Sequence, residues 1–305
     1  MRAVVVTEPG GPEVLQVQEL PDPDLGSGDA VVRLAAANVN PTDLGARQGF
    51  FAPGFDIAGP PYVLGWDLAG EVTAVGDDVA DWAVGDWVVG MIPWYMAHGR
   101  YGAYAELVLL RAEWLVDLPP SLDPVQAATV PLNALTAQQA IALLHAPRGA
   151  QILITGASGG VGSFAVQLAV AAGLRVTAVA GTDDDEWVRA LGAETVLPRD
   201  AQLSTIGSFS CVLDAVSVGA QVFPAVADGG TIVSTRAVHD DAGRGITQRP
   251  MLIEHDTEAL RKLVHRVAAG ALLTRVSETV PLAEAAHAHR LAEQHGRHGK
   301  IVLVP

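Results

Sequence analysis

Residues 151–173 read QILITGASGGVGSFAVQLAVAAG, an apolar run followed by a glycine-rich turn and a second apolar run. Aligned with the pattern G-x-G-x-x-G, the turn is Ala157-x-Gly159-x-x-Gly162, with alanine at the first glycine. It carries no bulky side chain where a pyrophosphate must approach the backbone, and the first amides of a following helix bind phosphates. The stretch therefore predicts a strand, a dinucleotide-binding turn and a helix. The residues expected to contact the pyrophosphate are Ala157, Ser158, Gly159, Gly160, Val161 and Gly162.

The same letters fit a second pattern, G-x-S-x-G, which is the nucleophile elbow of α/β-hydrolases and would make Ser158 the nucleophile. The downstream residues available as acid and histidine are Asp228, Asp240, His265 and His287. Such hydrolases normally open with their own sheet and an oxyanion loop of the HGG kind, and the first part of this chain offers neither. Gly162 has a packing role in a dinucleotide site and none in an elbow. Dinucleotide binding is favoured, and a glycine turn without a ligand is the third alternative.

Two patterns of secondary structure divide the chain. Residues 1 to about 118 contain short β-branched runs separated by Gly, Pro and Asp clusters, as in a compact barrel of short strands. From about Leu122, helices alternate with apolar strands, which indicates an α/β domain with a parallel, doubly wound sheet. The first of these helices is expected over 124–144. The tail is expected to form a strand, a helix and the terminal strand 300–304.

Composition argues against several classes of function. The 305 residues carry a formal net charge of -15, which disfavours nucleic acid and anionic membranes as partners. The single cysteine, Cys211, excludes an intramolecular disulfide and a multi-cysteine zinc lobe, and its apolar surroundings place it in a core. The start of the chain lacks a signal-peptide pattern, and the longest apolar stretch is too short for a membrane span. A cytoplasmic location is therefore expected.

Seven motifs in order extend the argument to the whole chain. They are AANVNPTDLGARQG (36–49), GWDLAGEVTAVGDDV (65–79), GDWVVG (85–90), GAYAE (102–106), PLNALTAQQA (131–140), GASGGVG (156–162) and HGKIVLVP (298–305). With these motifs the chain resembles the quinone-oxidoreductase branch of the medium-chain dehydrogenase/reductase superfamily, which includes the ζ-crystallin-like proteins. The resemblance implies a GroES-like β-barrel domain over 1–118 and 271–305, and a Rossmann domain over 119–270.

Departures from zinc-dependent relatives predict a site without metal. Zinc-dependent alcohol dehydrogenases carry a cysteine at the position of Asn40 and a His-Glu pair at the positions of Trp66 and Asp67. Zinc requires three or four thiolate, imidazole or carboxylate ligands, and Asp43 and Asp67 alone are too few. A tyrosine that often follows the R-x-G turn in this branch is Phe51 here, so a tyrosine acid at that position is excluded.

The resemblance implies hydride transfer from a reduced nicotinamide to a quinone or to the β-carbon of an α,β-unsaturated carbonyl compound (an enone). A conjugated acceptor delocalises charge onto its carbonyl oxygen, which hydrogen-bond donors or water can stabilise without a metal. A member that binds NADPH without turnover is the alternative within the family. A homodimer acting on a small molecule is expected.

Asn40 and Trp66 are the candidate residues of the acceptor site. The segment Asn40-Pro41-Thr42-Asp43 resembles a family segment that lines the cleft near the nicotinamide ribose, and an amide can orient a ribose hydroxyl or polarise a carbonyl. Trp66 is expected to fill the space of the missing metal ligand beside the nicotinamide. The alternatives are structural, with Asn40 bracing the turn before Pro41 and Trp66 packing in a core.

NADPH is the expected cofactor, with NADH as the less favoured alternative. NAD-binding Rossmann domains place an acidic residue at the end of the second strand, where this chain has Ala180 followed by Gly181 and Thr182. A 2′-phosphate would meet no carboxylate there, and Arg199 is the nearest cationic candidate. The further cofactor contacts are assigned to Thr136, Gly181, Thr182, Ala215 and Val216.

Two other groups of polar residues have open or structural interpretations. The loop residues Tyr95, His98 and Tyr101 either line the substrate pocket or pack the loop. The histidines near the end of the chain are interpreted as surface residues rather than a metal site, and they are His287, His289, His295 and His298.

Overall fold

The computed structural model describes residues 1–51, 57, 59–99, 101–236, 243–294, 296 and 298–305. Its strands are β1 (Arg2–Val6), β2 (Leu15–Glu19), β3 (Asp29–Asn38), β4 (Tyr62–Val63), β5 (Asp67–Val75), β6 (Trp87–Met91), β7 (Leu107–Arg111), β8 (Leu115–Asp117), β9 (Gln151–Thr155), β10 (Arg175–Ala180), β11 (Thr195–Pro198), β12 (Phe209–Asp214), β13 (Val226–Ser234), β14 (Thr247–Pro250), β15 (Val276–Pro281) and β16 (Lys300–Val304). Its α-helices are α1 (Pro41–Arg47), α2 (Pro124–Ala127), α3 (Pro131–Leu143), α4 (Gly160–Ala171), α5 (Asp185–Ala190), α6 (Thr257–Ala268) and α7 (Ala285–Ala292).

The chain forms two compact units. The first comprises Met1–Leu132, Glu254–Ala271 and Arg275–Pro305, and the second comprises Asn133–Ile253 and Leu272–Thr274. These units group α2 and α6 with the β-rich part of the chain, whereas the sequence pattern assigns them to the Rossmann domain. The ends of a compact unit depend on which distant segments pack together, and no local pattern encodes that. The domain limits of 118/119 and 270/271 stay a prediction.

The first unit is built on two sheets. The larger has seven strands in the order β15-β16-β3-β5-β6-β8, with β7 also paired to β3, and the smaller has the order β2-β1-β4. β3 is the central strand of the larger sheet, is rich in Val and Ala, and is buried along most of its length. It runs antiparallel to β5 and β16, which flank its final residues. The end of β3 therefore lies between the beginnings of these two neighbours.

The second unit contains a six-stranded sheet in which every strand pair is parallel, with the order β11-β10-β9-β12-β13-β14. Counted from β9, this is the order 3-2-1-4-5-6 of dinucleotide-binding folds. The direction of winding reverses between β9 and β12, and open parallel sheets bind ligands beyond the carboxyl ends of the strands at such a point. The predicted doubly wound α/β domain is confirmed, and the glycine turn follows the strand at the switch point.

The helix predicted over 124–144 is in fact two helices, α2 and α3. Pro131 begins α3, because proline has no backbone N–H and is tolerated in the first turn of a helix rather than in its interior. Thr129 and Val130 donate their amides three residues back at 3.1 and 3.0 Å, which makes a tight turn between the helices.

Within the described part of the chain, every helix is too short or too polar to span a lipid bilayer.

Candidate active site

The predicted turn joins β9 to α4 in the second unit. Gly156 has a φ of +63°, and the amide of Gly159 donates to its carbonyl oxygen at 3.0 Å. α4 begins at Gly160 with Gly159 as its N-cap, and among the described side chains none caps this helix start. The first amides of α4 are therefore left for another acceptor, as in a phosphate-binding turn.

The glycines of the turn have different roles. A Cβ on Gly156 would overlap the side chain of Val216, and a Cβ on Gly162 would overlap the carbonyl of Gly156. A Cβ on Gly159 would meet only the Gly156 carbonyl oxygen, at 3.3 Å. Gly156 and Gly162 thus allow the strand, turn and helix to pack, whereas Gly159 leaves space above the backbone. This cradle fits a pyrophosphate.

Asp214 organises the loop after β12. Its fully buried carboxylate accepts the hydroxyl of Thr155 at 2.6 Å and two backbone amides of the following loop at 3.1 and 3.3 Å. These bonds tie the ends of β9 and β12 together at the switch point. They also fix the loop that carries Ala215 and Val216, where Val216 covers Gly156.

An arginine side chain lies beside the end of β10. A Cβ on Gly181 would lie 3.8 Å from a guanidinium nitrogen of Arg199 and 3.8 Å from the carboxylate of Asp184. Arg199 reaches this place because the preceding Pro198 pairs with Ala180 in the parallel β10–β11 register. Arg199 is exposed, whereas Asp184 is buried. Of these two charged groups beside Gly181, the guanidinium is therefore the one exposed to solvent.

The predicted cofactor residues of the second unit share one edge of its sheet. The glycine turn follows β9, Gly181 and the exposed Thr182 follow β10, and Ala215 and Val216 follow β12. The carboxyl ends of parallel strands meet at the same edge. Thr136 differs, since it is buried on α3.

Two of the residues nominated to assist a Ser158 nucleophile, Asp228 and His265, have other partners. Asp228 forms an ion pair with an arginine at 2.7 Å, and His265 Nε2 lies 2.7 Å from an aspartate carboxylate. Asp240 lies outside the described residues. The strand order and the packing of Gly162 favour the dinucleotide turn over the elbow.

A polar cluster lies at the end of β3 in the first unit. Because β5 and β16 flank β3, side chains distant in sequence converge there, and they are Asn38, Asn40, Asp67 and Lys300. All but Lys300, which is partly exposed, are buried.

The Asn40 carboxamide is bonded on both sides. Its Oδ1 accepts from Asn38 Nδ2 at 2.8 Å and from Lys300 Nζ at 3.1 Å. Its Nδ2 donates to Asp67 Oδ2 at 2.8 Å. Asp67 also accepts from Asn38 Nδ2 at 3.0 Å and, at Oδ1, from the Leu132 amide at 2.9 Å. Asn40 thus connects the positive and negative groups of the cluster.

Asp43 fixes the start of α1 beside the cluster. Its Oδ2 accepts the backbone amide of Asn40 at 2.8 Å, as in one half of a capping box, and its Oδ1 accepts the amide of Gly65 at 3.1 Å. Gly65 has a φ of +108° and abuts Tyr104, so only glycine suits this place. Asn40 therefore braces the turn through its backbone, while its carboxamide belongs to the cluster.

Burial shifts the pKa values of the charged groups of this site. It raises the pKa of Asp43 to about 7 and that of Asp67 to about 6, and it lowers the pKa of Lys300 to about 8. In each case low polarity disfavours the charged form. Hydrogen bonds from Asn38 and Asn40 and the positive charge of Lys300 oppose the rise at Asp67.

Trp66 lies beside this cluster in an aromatic group. It is buried and packs edge-to-face on Tyr95, with 5.1 Å between ring centroids. The Tyr95 hydroxyl is 3.0 Å from Thr42 Oγ1 on α1. His98 is exposed, and Tyr101 packs against a different tryptophan at 6.1 Å. Of the three loop residues, Tyr95 thus contacts a predicted site residue, Trp66.

His289 is buried, so its assignment to the surface was wrong. Its Nδ1 lies 3.3 Å from Arg47 Nη1, and its Nε2 lies 3.2 Å from the Tyr104 hydroxyl. A guanidinium only donates, so Nδ1 accepts and the ring proton is on Nε2. Arg47 is itself buried and pairs with Glu293. The imidazole turns inward because α7 lies against the segments that carry Arg47 and Tyr104, a contact that local sequence does not reveal.

The other histidines and the cysteine follow the sequence analysis where the structure describes them. His287 and His298 are exposed, Cys211 is buried, and His295 lies outside the described residues.

The polar cluster does not fit zinc. Among the described residues, no group of three or more His, Cys, Asp or Glu side chains is arranged to hold a metal ion. Both oxygens of Asp67 accept N–H donors, and the ammonium of Lys300 lies against Asn40. Zinc needs more anionic or imidazole ligands than Asp43 and Asp67 supply.

Sequence reasoning assigned no role to Asn38 or Lys300. Asn38 and Asn40 are two residues apart at a strand end, a spacing that places side chains on one face. Lys300 opens an otherwise apolar strand. The spacing of Asn38 and Asn40 and the position of Lys300 could have drawn attention to these residues. Neither feature shows that the end of β3 meets the start of β16.

Comparisons with known proteins agree with this architecture. The sequence profile of the alcohol dehydrogenase GroES-like domain matches residues 26–120, and that of the zinc-binding dehydrogenases matches residues 191–303. The predicted pairing of a GroES-like domain with a Rossmann domain is confirmed.

Named relatives match over nearly the full chain. A quinone oxidoreductase of Pseudomonas aeruginosa is 33% identical, with 97% of each chain covered. The NADPH-dependent alkenal/one oxidoreductase of Arabidopsis thaliana chloroplasts is 29% identical, covering 100% of this chain and 80% of its own.

Solved structures agree as well. The quinone oxidoreductase of Coxiella burnetii superposes with a TM-score of 0.88 at 29% identity, covering 100% of this chain and 99% of its own. A mycobacterial protein complexed with NADPH superposes with a TM-score of 0.85 at 28% identity, covering 100% of both chains.

Proposed function

This chain belongs to the quinone-oxidoreductase branch of the medium-chain dehydrogenase/reductase superfamily, and from that membership we propose its reaction. It is an NADPH-dependent reductase that transfers hydride to a quinone or to the β-carbon of an α,β-unsaturated carbonyl compound. The single observation that carries the proposal is the glycine turn after β9, at the switch point of a 3-2-1-4-5-6 sheet.

NADPH supplies the hydride, and residues of the chain hold and orient the cofactor. The amides at the start of α4, from Gly160 onward, bind the pyrophosphate, with Gly159 leaving room for its approach. Arg199 receives the 2′-phosphate at the end of β10. Thr136, Thr182, Ala215 and Val216 complete the proposed cofactor contacts.

Asn40 and Trp66 serve the acceptor side of the proposed site. Asn40 is held by charged neighbours, so it offers a fixed amide dipole. A dipole already oriented in a water-poor site stabilises charge that develops in the transition state without reorganising. Trp66 provides an apolar wall, held in place by Tyr95.

The reaction is proposed to need no metal. The N–H donors on Asp67 and the ammonium beside Asn40 support this, as does the single cysteine of the chain. Charge on the acceptor oxygen is then stabilised by hydrogen-bond donors or water.

Steady-state kinetics test the proposal. We expect the purified protein to oxidise NADPH when a quinone or an enone is added, and to hydrolyse no ester. NADPH binding without oxidation by any quinone or enone would indicate a non-catalytic member of the family. Esterase activity that is lost in Ser158→Ala would instead support the nucleophile elbow.

We also propose that the protein is a cytoplasmic homodimer. Light scattering should give twice the mass of the chain, and fractionation of the native host should recover the protein outside organelles and membranes. Some relatives are named as chloroplastic, so the fractionation tests a real alternative.

A further inference from the structure

The two lysines of the chain have contrasting surroundings. Lys262 lies on the exposed side of α6 and pairs with Glu258 at 3.2 Å, one helical turn away. Lys300 opens β16, and its Nζ lies 3.1 Å from Asn40 Oδ1 in the polar cluster. Withdrawing an ammonium from water is unfavourable unless nearby partners compensate. The partners that Lys300 contacts therefore indicate its role.

These contacts determine which way the Asn40 carboxamide points. An ammonium only donates, so it must face the carboxamide oxygen, and an ionised carboxylate only accepts, so Asp67 must face the nitrogen. The observed bonds, Lys300 to Oδ1 and Nδ2 to Asp67, meet both conditions. A half-turn of the amide would place N–H groups against the ammonium and an oxygen against the carboxylate. The flipped orientation is excluded by two charges at once.

Lys300 also compensates the negative charge of the site. Asp43 and Asp67 are buried aspartates, and the charge of Lys300 favours the ionised form of both. Arg47, the other cation near Asp43, is committed to His289 and Glu293. Removal of Lys300 would leave Asn40 without its strongest donor and Asp67 without a nearby cation.

We propose that Lys300 is a positioning residue, which holds the Asn40 carboxamide with its oxygen towards β16 and its nitrogen towards Asp67. Lys300 acts through Asn40 rather than on the acceptor itself. The consequence for catalysis rests on the proposed function, but the orientation of the amide does not.

A double-mutant cycle tests the catalytic consequence. We expect Asn40→Ala to lower kcat/KM by on the order of ten- to a thousandfold and Lys300→Met by on the order of ten- to a hundredfold, in both cases mainly through kcat. The double variant should lose no more than the worse single variant, because both remove the same interaction. Lys300→Arg should recover most of the activity, and Lys262→Met, the matched control, should behave as wild type.

An NMR readout tests the orientation without turnover. The chain has three asparagines, Asn38, Asn40 and Asn133, so selective 15N-asparagine labelling gives three side-chain NH2 pairs. In protein without cofactor, Lys300→Met should shift the Asn40 pair and speed its exchange with water, while the Asn133 pair stays in place. If Lys300→Met does not fold, Lys300→Gln is used in its place. The same shift and faster exchange of the Asn40 pair are expected.

The outcomes separate this inference from the proposed function. Wild-type kcat/KM in Lys300→Met, losses that multiply in the double variant, or an unmoved Asn40 pair would each overturn the positioning role. A wild-type protein that reduces neither quinones nor enones, but in which the Asn40 pair moves in Lys300→Met, would overturn the function and leave the positioning role standing.

Discussion

Asn40 combines two duties in one residue, and the structure assigns them to different atoms. Its backbone amide binds Asp43 at the start of α1, whereas its carboxamide bridges Lys300 and Asp67. A substitution that removes only the side chain therefore keeps the bond from the backbone amide to Asp43. From the sequence alone, a structural role in the turn and a role in the site are alternatives for Asn40. In the structure the two roles are compatible.

We predict that Asn40→Ala lowers kcat/KM with an enone by on the order of ten- to a thousandfold, because a fixed amide dipole is lost from a water-poor site. The variant also leaves Asn38 and Lys300 short of an acceptor, so unfolding should become easier by about 1–3 kcal/mol. Thermal melting and kinetics, measured well below the transition, separate the two effects. Wild-type turnover with both a quinone and an enone would remove Asn40 from the site.

At the scale of secondary-structure elements, the glycines of the β9–α4 turn differ in the space around them. Gly162 has no room for a Cβ, whereas Gly159 has a φ of -75°, which any residue adopts, and one neighbour at 3.3 Å. Substitutions at Gly159 and Gly162 can therefore separate an effect on cofactor binding from an effect on stability.

We predict that Gly159→Val abolishes NADPH binding while the melting curve changes little, because the added branches occupy the space of the pyrophosphate. Gly162→Ala should lower the melting temperature, because its Cβ overlaps the Gly156 carbonyl. Fluorescence titration with NADPH and calorimetry provide the two readouts. Near-normal NADPH affinity in Gly159→Val would show that the phosphates bind elsewhere.

At the paired ends of β10 and β11, Arg199 lies beside Gly181, and its recognition of a phosphate is a proposal. We predict that Arg199→Ala lowers kcat/KM for NADPH by about ten- to a hundredfold, as expected when a charged hydrogen bond to a phosphate is lost, and leaves NADH nearly unaffected. Arg189→Ala is the matched control, since Arg189 pairs with Asp185 on the exposed side of α5. Equal losses with NADPH and NADH would contradict a contact with the 2′-phosphate.

For the whole molecule, we predict that neither folding nor activity requires a metal ion. The polar cluster is held by hydrogen bonds and an ammonium, so chelators should leave both the melting curve and kcat unchanged. Elemental analysis checks the metal content directly. Near-stoichiometric zinc on which activity depends would refute the proposal.

Stability of the molecule should also depend on pH through His289. Burial, followed by the charge of Arg47, lowers its pKa from 6.5 to about 3. Between these values the unfolded chain binds a proton that the folded chain does not, so stability falls as the pH drops from 6.5 towards 3. The limiting slope is about 1.4 kcal/mol per pH unit.

We predict that His289→Gln, which keeps an acceptor for Arg47 but cannot titrate, loses less stability than wild type between about pH 7 and about pH 5. Denaturant unfolding at several pH values measures the difference. Asp43 and Asp67 titrate in both proteins, so their contributions cancel in this comparison. Parallel curves for the two proteins would show that the imidazole does not resist protonation in the folded state.

The sequence by itself determined the kind of fold and the cofactor. The strand, the glycine spacing and the following helix are neighbours in sequence, so their geometry is local and can be predicted from residues 151–173. The alternation of strands and helices likewise indicated the parallel sheet. The break before Pro131 was missed because apolar residues continue through it, although proline alone is a sufficient reason for a new helix start.

Tertiary structure alone decided the polar cluster. Asn40, Asp67 and Lys300 are far apart in sequence, and they meet because β16 and β5 pair on opposite sides of β3 in fixed antiparallel registers. His289 is buried for the same kind of reason, since its partners Arg47 and Tyr104 come from distant segments. Residue types and spacing predict which face a side chain takes on its own element. Which distant elements cover that face depends on the packing of the whole unit, and this is where the charges of the site acquire their partners.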